Sequence, residues 1–193
     1  MTNKELIDKY PWLYIRRDYD FDTDTYSIPE NPDYESTWLD AIPDGWRKAF
    51  GEMMVEEIDK ELRKHDFVDK FEILQVKEKY GEFRMYCGGA PREVHRIIQK
   101  YEVISRHVCM VCGKTDVHIR EDGWIWPQCR ECYEKDDYNH LPYEEVVHID
   151  EDPNIPDSYK VTSWSKDEGE KVTEYDISET VAEIRRRWEE KCY

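Results

Sequence analysis

The chain has 193 residues, of which 45 are acidic and 28 basic, and its formal net charge at pH 7 is −17. Its aromatic content of 13% argues against a disordered chain. No run approaches the roughly 18 uncharged apolar residues of a membrane helix, and the N-terminus lacks the apolar stretch of a secretory signal. We therefore expect a cytoplasmic protein with no membrane partner.

The negative charge lies in two flanking regions. Residues 13–45 hold nine acidic and two basic side chains, and residues 133–193 hold eighteen acidic and eight basic ones. Residues 46–132 hold sixteen of each and are neutral. Acidic flanks repel nucleic acids and membrane surfaces on average and favour a basic partner.

The N-terminal segment shows two local patterns. Thr2 and Glu5 have the spacing of a capping box, which predicts a short helix that ends near Lys9. Residues 13–17 predict a strand, and the polar–aromatic alternation over residues 18–25 predicts another extended strand. One face of that second strand would carry four aspartates: Asp18, Asp20, Asp22 and Asp24.

The central region has the clearest helical period. Residues 45–64 predict an amphipathic helix with Asp44 as its N-cap, because large apolar side chains recur at every fourth position. The recurring side chains are Trp46, Phe50, Met54, Ile58 and Leu62.

A hairpin and a second helix are predicted next. Residues 71–79 and 82–87 have the composition of two strands that turn at Tyr80-Gly81. Pro91 suits the first turn of a helix, whose apolar stripe leads directly to Cys109.

The acidic C-terminal part contains three runs that favour strands, at residues 145–149, 159–164 and 171–175. Asp176 and Glu179 have capping-box spacing and predict a final helix. The inward side chains of that helix would be Ile177, Val181, Ile184 and Trp188.

These elements predict an α+β fold in which helices pack on a small antiparallel sheet, with an inserted cysteine module and an acidic C-terminal extension. The predicted regions are an acidic N-terminal segment (1–37), an α+β core (38–108), a zinc module (109–140) and acidic C-terminal strands with a helix (141–193).

Two cysteine pairs carry the strongest functional signal. Cys109 and Cys112 form one CxxC pair, and Cys129 and Cys132 form a second pair after sixteen residues. In a reducing compartment such pairs favour metal over disulfides, and four thiolates complete a tetrahedron around one Zn²⁺. Because four protein ligands leave no open position, the predicted zinc is structural. A zinc ribbon and a treble clef both fit, and a redox dithiol is the rival interpretation.

Known catalytic motifs are missing from the sequence. A zinc deaminase also ends in CxxC, but it requires H-x-E and a proline next to the first cysteine. Here Gln128 separates Pro127 from Cys129, and no H-x-E occurs. No GxSxG, HExxH, P-loop or dinucleotide fingerprint is present either. A metal-dependent enzyme of unknown reaction is therefore only the third hypothesis.

The aspartate run has three interpretations. A calcium loop that began at Asp18 would need Gly at its sixth position and Glu at its twelfth, where this chain has Thr23 and Pro29. A solvated strand face is the plain interpretation. A phosphate mimic is the sharper one, because alternate strand residues lie roughly 6.7 Å apart, similar to successive phosphates of a nucleic acid.

A nucleic-acid interface at the cysteine module is the main alternative. Trp124 and Trp126 would stack on bases, and nearby cations would contact phosphate. Those cations are Lys114, Arg120 and Arg130. The net charge opposes such binding, and the alternation around Trp124 and Trp126 places at least one of them in a small core. His107 and His118 lie near the cysteines in the sequence. Either they donate hydrogen bonds to the metal ligands, or they are ordinary surface or core histidines.

Several segments of the chain resemble one protein group. They are Trp38–Gly51 with its Asp44-Gly45-Trp46, Lys77–Gly81, Arg84–Tyr86, and Gly123–Pro127 ahead of Cys129. They resemble zinc-ribbon-like proteins encoded by bacteriophages, prophages and gut bacteria. The resemblance covers residues 38–132 and departs at Met85, where the group has Trp, and in the acidic tail. It implies a phage-associated origin and four cysteine metal ligands, and it implies no activity.

Our leading functional hypothesis is a non-enzymatic interaction protein. Its acidic flanks, with Asp18–Asp24 as the contact, would dock on a basic groove of a host protein that handles nucleic acid, such as a CRISPR effector or another nuclease. It would act as an inhibitor of the anti-CRISPR kind. A nucleic-acid-binding zinc-ribbon regulator is the alternative.

Overall fold

The computed structural model describes residues 1–15, 17–137, 139–166 and 169–191. The α-helices are α1 (Asn3–Lys9), α2 (Asp44–Trp46), α3 (Glu52–Lys64), α4 (Arg92–Ser105), α5 (Arg130–Glu134), α6 (Tyr143–Val146) and α7 (Ser178–Lys191). The strands are β1 (Asp18–Asp20), β2 (Thr25–Ser27), β3 (Glu72–Lys79), β4 (Glu82–Gly88), β5 (Ile119–Glu121), β6 (Ile125–Pro127), β7 (Ser158–Ser165) and β8 (Gly169–Asp176). Short 3₁₀ turns lie at Pro11–Leu13 and Trp38–Ala41.

Each strand pairs with its neighbour in sequence. Within the described ranges this produces four separate antiparallel hairpins: β1–β2, β3–β4, β5–β6 and β7–β8. The predicted mixture of helices and small antiparallel sheet structure is confirmed, although the strands form four hairpins where one sheet was expected. Connections of two to four residues favour this outcome, because a short turn returns the chain directly beside the preceding strand.

The N-terminal helix forms as its capping box predicts. The Thr2 hydroxyl accepts the Glu5 N–H, and the Glu5 carboxylate accepts the Thr2 N–H at 2.7 Å. The strand predicted at residues 13–17 includes Arg16, which lies outside the described residues, and its Tyr14 forms an isolated antiparallel bridge with Thr37. At the start of this range the chain forms a 3₁₀ turn over Pro11–Leu13 in place of a strand. That turn buries Trp12, whose indole N–H donates to Asp59 at 3.1 Å. Core burial of Trp12 overrides the weak strand preference.

The aspartate run forms a hairpin, so the single extended strand expected over residues 18–25 is also wrong. Asp20 accepts the backbone N–H of Asp22 at 2.8 Å, and Asp24 adopts a φ of 55°. Short acidic side chains bond to nearby backbone amides and tolerate this left-handed conformation, so they favour a turn over a continuous strand. Asp18 and Asp20 therefore lie in β1, whereas Asp22 and Asp24 lie in the turn that follows it.

A continuous long helix consists of α2, a π-helical turn at Arg47–Gly51, and α3. Its N-cap is Pro43, and Asp44 lies in its first turn. The predicted apolar stripe is confirmed as fully buried. Side chains spaced four residues apart rotate gradually around an α-helix, which has 3.6 residues per turn. The π turn has more residues per turn and therefore offsets part of this rotation.

The long helix and α4 pack around the β3–β4 hairpin. Phe50 stacks on Tyr101 with ring centroids 5.3 Å apart and meets the edge of Phe83 at 6.3 Å. The hairpin turns at Tyr80 and Gly81 as predicted, with φ values of 55° and 74°. Two positive φ angles are the requirement of a type I′ turn, which matches the twist of the strands.

The acidic C-terminal part packs on the same core. β7, β8 and α7 form close to their predicted bounds, and Ile177, Val181 and Ile184 are buried, whereas Trp188 is half-buried. The strand predicted at residues 145–149 is wrong. After Pro142 the chain forms the short helix α6, because a proline ahead of the first turn favours helix initiation.

One hydrophobic cluster therefore contains side chains from Leu6 near the N-terminus to Ile184 in α7. The cysteine module has a separate small cluster formed by Val117 and the four cysteines. Among the helices of the described ranges, none combines the length and the apolar character needed to cross a membrane.

Because Ile184 lies in this shared core, we expect Ile184→Ala to lower the free energy of unfolding by about 2–5 kcal/mol in a single transition. Val172→Ala, at a position that is 53% exposed on β8, is the control and should cost less than about 1 kcal/mol. Urea denaturation followed by fluorescence and circular dichroism provides the measurement. Two separate transitions, with only the smaller one moved by Ile184→Ala, would contradict a shared core.

Candidate metal centre

The first cysteine pair lies in a tight backbone knuckle that follows α4. The Cys109 N–H donates to the Lys114 carbonyl at 2.8 Å, and the Gly113 N–H donates to the Cys109 carbonyl at 2.9 Å. Gly113 has a φ of 88°, a conformation that favours glycine. The Lys114 N–H donates to the Cys112 sulfur at 3.4 Å. The knuckle thus directs both sulfurs to one side and supplies an amide donor to one of them.

The second pair lies where β6 leads into α5. Cys129 is the N-cap of α5, and the N–H groups of Cys132 and Tyr133 donate to the Cys129 carbonyl at 3.1 and 3.0 Å. The β5–β6 hairpin returns the chain to the first knuckle, where the Met110 N–H donates to the Pro127 carbonyl at 3.0 Å. Backbone hydrogen bonds therefore hold the two pairs against each other.

The four cysteine sulfurs converge on one point. All lie within 4.8 Å of one another, and the sulfurs of Cys112 and Cys129 are 3.7 Å apart. A tetrahedron with metal–sulfur bonds of about 2.3 Å has a sulfur–sulfur edge of about 3.8 Å, whereas a disulfide bond measures about 2.05 Å. The separation fits a shared metal ion, and Cys109, Cys112, Cys129 and Cys132 are all free thiols.

Thiols this close cannot all ionise without a compensating charge. Hydrogen bonds from Cys112 and Cys129 lower the pKa of Cys109, whereas hydrogen bonds with Cys109 and Cys129 raise the pKa of Cys112. Burial and then the negative charge of Cys109 raise the pKa of Cys132 to about 12. A divalent cation at the centre would remove the mutual repulsion and draw all four groups into the thiolate form.

The start of the long helix packs directly on the first knuckle. A Cβ atom on Gly45 would lie 2.1 Å from the Cys109 carbonyl oxygen, so only glycine fits there. The Gly45 N–H donates to the Met110 carbonyl at 2.8 Å. The buried Trp46 indole N–H donates to the Val108 carbonyl, also at 2.8 Å. Asp44-Gly45-Trp46 thus holds the cysteine module on the core.

Two further contacts fasten the module. The turn of the β3–β4 hairpin lies on β6, where a Cβ on Gly81 would approach the Ile125 carbonyl oxygen to 3.0 Å. On another side, Arg185 of α7 forms a two-point ion pair with Asp116, at 2.8 and 3.1 Å. Burial alone would raise the pKa of the Asp116 carboxyl group, but hydrogen bonds from Arg185 lower this pKa below its usual value. The module is therefore held by three elements that are distant in sequence.

The structure removes Arg120 from the residues available to a nucleic acid. Its side chain is 4% exposed, forms an ion pair with Asp122, and lies over the rings of Trp126 and Tyr133 at 4.9 and 5.2 Å. A guanidinium between two rings supports the packing of the module. The expectation that Arg120 contacts phosphate is wrong for this conformation, because its charge is already paired and buried.

The other residues of the nucleic-acid alternative differ in availability. Trp124 is 72% exposed and Lys114 is exposed, whereas Trp126 is half-buried under Arg120. Arg130 is exposed but pairs with Glu144 and, at 3.5 Å, with Glu134. Of the five candidates, two side chains remain both exposed and without an acidic partner in the described part of the chain.

The histidines near the cysteines do not contact the sulfurs in the described ranges. His107 Nδ1 lies 3.2 Å from the Pro153 carbonyl oxygen, and burial lowers its pKa. His118 Nδ1 is buried without a hydrogen-bond partner among the described residues. Both are packing residues at the base of the module.

Tyr143 supports the second knuckle and was not predicted from the sequence. Its hydroxyl donates to the Gln128 carbonyl at 2.9 Å, and its ring meets Tyr133 at 5.4 Å. Burial and then the nearby Cys129 raise the pKa of Tyr143 to about 12. The only sequence signal was an aromatic residue in an acidic, otherwise polar stretch.

No protein-family model, curated protein or solved structure matches this chain. The chemistry of the centre is therefore inferred from its donor set and geometry.

We expect purified protein to contain about one equivalent of zinc per chain, and Cys129→Ser to lose both the metal and the native fold of the module. The loss should be severe because metal binding of about 10–16 kcal/mol is coupled to folding in such sites. Cys87→Ser, which alters a partly buried thiol outside the cluster, is the matched control and should keep its zinc. Elemental analysis under reducing conditions provides the measurement, and less than about half an equivalent in the wild type would contradict the site.

We expect Gly45→Ala to destabilise the protein by about 3 kcal/mol or more, because the added methyl group would collide with the backbone of the first knuckle. Gly51→Ala lies in the same long helix, and its added Cβ would approach Leu39 only to 3.5 Å. That control should be neutral or stabilising by about 0.5–1 kcal/mol. Thermal unfolding of both variants provides the comparison, and equal stabilities would show that the Gly45 contact is unimportant.

Proposed function

We propose that the protein is a non-enzymatic interaction protein whose cysteine centre holds a structural Zn²⁺. Four thiolates complete the coordination of zinc and leave no position for a reacting water. The β5–β6 hairpin followed by α5, which carries Cys132, supports the treble-clef interpretation of the module. The convergence of four sulfurs within 4.8 Å is the observation that carries this part of the proposal.

The proposed contact surface is the acidic hairpin, which we define as residues 18–27. Phe21 at its tip is 88% exposed, and its ring meets that of Tyr19 at 4.7 Å. Tyr26 anchors the hairpin to the core, because its hydroxyl donates to Glu72 at 2.7 Å. An exposed aromatic group surrounded by carboxylates suits a protein interface, in which aromatic side chains supply contact area and charge supplies orientation.

The electrostatic environment favours a basic partner. Nine acidic residues and no basic residue lie between residues 18 and 45. Such a region attracts a cationic surface over about one Debye length, roughly 8–10 Å at physiological salt. Since the aspartates lie on a hairpin, they would imitate nucleic acid by clustered negative charge, without the regular phosphate spacing of an extended strand.

The identity of the partner is inferred from the resemblance to phage-encoded zinc-ribbon-like proteins. A phage protein with an acidic docking surface would meet basic grooves mainly on host proteins that bind nucleic acid. We therefore propose that the partner is a CRISPR effector or another host nuclease, and that binding inhibits it by occupying its nucleic-acid groove.

We expect the protein to retain a basic protein from a nuclease-treated bacterial lysate, in a complex that dissociates at high salt. Replacing the aspartates of the acidic hairpin with asparagine should reduce retention by about tenfold or more, because the steering charge is lost. Asparagine keeps an acceptor oxygen for the turn. The variant carries Asp18→Asn, Asp20→Asn, Asp22→Asn and Asp24→Asn.

The matched control removes four exposed charges elsewhere and should retain the partner. It carries Glu145→Gln, Asp150→Asn, Glu170→Gln and Glu189→Gln. Equal loss in both variants would show that net charge alone drives binding and would remove the acidic hairpin from the proposal. Tight, salt-sensitive binding to purified DNA or RNA that is lost on Trp126→Ala would replace the proposal with the nucleic-acid alternative.

A further inference from the structure

The four cysteines of the candidate metal centre differ in their exposure to solvent. Cys109 and Cys129, the first members of the two pairs, are 0% and 4% exposed. Cys112 and Cys132, the second members, are half-buried. Oxidation of cysteine follows thiolate character and exposure, and metal coordination keeps all four groups in the thiolate form. A small oxidant in solution therefore reaches the second sulfur of each pair more easily than the first.

A sulfur of the other pair lies within reach of Cys112. The sulfurs of Cys112 and Cys129 are 3.7 Å apart. A disulfide bond measures about 2.05 Å, so the two atoms would have to approach each other by about 1.7 Å, which a modest rotation of each side chain about χ1 provides. Because the two cysteines belong to different knuckles, a bond between them would join the two pairs.

Backbone hydrogen bonds hold the two pairs together without any contribution from the sulfurs. The Met110 N–H donates to the Pro127 carbonyl at 3.0 Å, which ties the first knuckle to the strand that leads into the second pair. The Gly45 N–H donates to the Met110 carbonyl at 2.8 Å and fastens the same knuckle to the long helix. These bonds keep the sulfurs of Cys112 and Cys129 close to each other while the bonding between them changes.

We propose that a hydroperoxide converts the metal cross-link of this module into a covalent one, a disulfide between Cys112 and Cys129, and releases the zinc. The inference rests on the zinc centre proposed above and adds the response of that centre to an oxidant. The oxidised module stays joined and attached to the core without its metal. The bond from Tyr26 to Glu72 that anchors the acidic hairpin lies outside the module, so the proposed partner surface keeps its place.

The reaction balances with one peroxide for each disulfide. The Cys112 thiolate attacks a peroxide oxygen, the O–O bond breaks, and a sulfenic acid and a hydroxide ion form. The Cys129 thiolate then attacks the Cys112 sulfur and displaces a second hydroxide as the S–S bond forms. The two sulfurs lose two electrons, which the two peroxide oxygens accept. Cys109 and Cys132 then supply only two of the four ligands that a structural zinc site requires, so the metal is released and these two thiolates take up protons.

Peroxide treatment of the zinc-loaded, full-length protein tests the reaction. We expect hydrogen peroxide to release about one equivalent of zinc per chain, followed by the absorbance of a zinc-binding dye. Peptide mass spectrometry after thiol alkylation should find one disulfide, between Cys112 and Cys129, with the other two cysteines of the centre alkylated. The double variant Cys87→Ser and Cys192→Ser removes the cysteines outside the cluster and is the matched control, which should give the same result.

Limited digestion with trypsin distinguishes a module that is still joined from one that is released. Lys114 and Arg130 are exposed cleavage sites within the module. We expect cleavage at these sites to become about tenfold faster or more when a chelator removes zinc under reducing conditions, because the knuckles separate. After peroxide, cleavage should stay within about twofold of the rate in the untreated protein. A thiol reductant with added zinc should restore the metal content.

Three outcomes would count against these statements in different ways. A disulfide within one CxxC pair, or peroxide-treated protein that is cleaved as fast as the chelated protein, would overturn the inference. Zinc-loaded protein that keeps its metal in peroxide would also overturn it and would leave the proposed structural zinc intact. Protein that is purified without zinc under reducing conditions would instead contradict the zinc centre itself.

Discussion

The backbone contact between Gly45 and the first cysteine knuckle is the constraint on which the arrangement of the molecule depends. The long helix, which carries the buried apolar stripe, begins at this point. A side chain at residue 45 would overlap the carbonyl group of Cys109. Because backbone packs on backbone there, neither element can move without the other. The cysteine centre is thereby coupled to the core, although its own hydrophobic cluster is small.

A structural ion in such a place affects more than the loop that binds it. The turn at Gly81 and the ion pair between Asp116 and Arg185 connect the same module to the β3–β4 hairpin and to the last helix. Removal of the ion would release the knuckles, and with them the surface on which three elements rest. A metal ion bound at this centre would therefore couple its binding to folding. The Asp44-Gly45-Trp46 and Tyr80-Gly81 segments lie far apart in sequence and both contact this module.

The distribution of charge follows from the same packing. Most of the described arginines pair with carboxylates, either on the same helix or on a neighbouring element, which leaves a surface whose excess charge is negative, including that of the acidic hairpin. Arg120 extends this pattern into the module, where two rings and Asp122 surround it.

The features that depend on local rules could be predicted from the amino-acid sequence. The cysteine spacing, the capping box at Thr2, the apolar stripe of the long helix and the turn at Tyr80-Gly81 each depend on residues within a few positions of one another. The hairpin of residues 18–27, the helix after Pro142, the burial of Arg120 and the need for glycine at position 45 were decided by tertiary structure. In these cases the deciding contact joins segments distant in sequence, or a turn and a strand compete with nearly equal local energy, so no local pattern records the outcome.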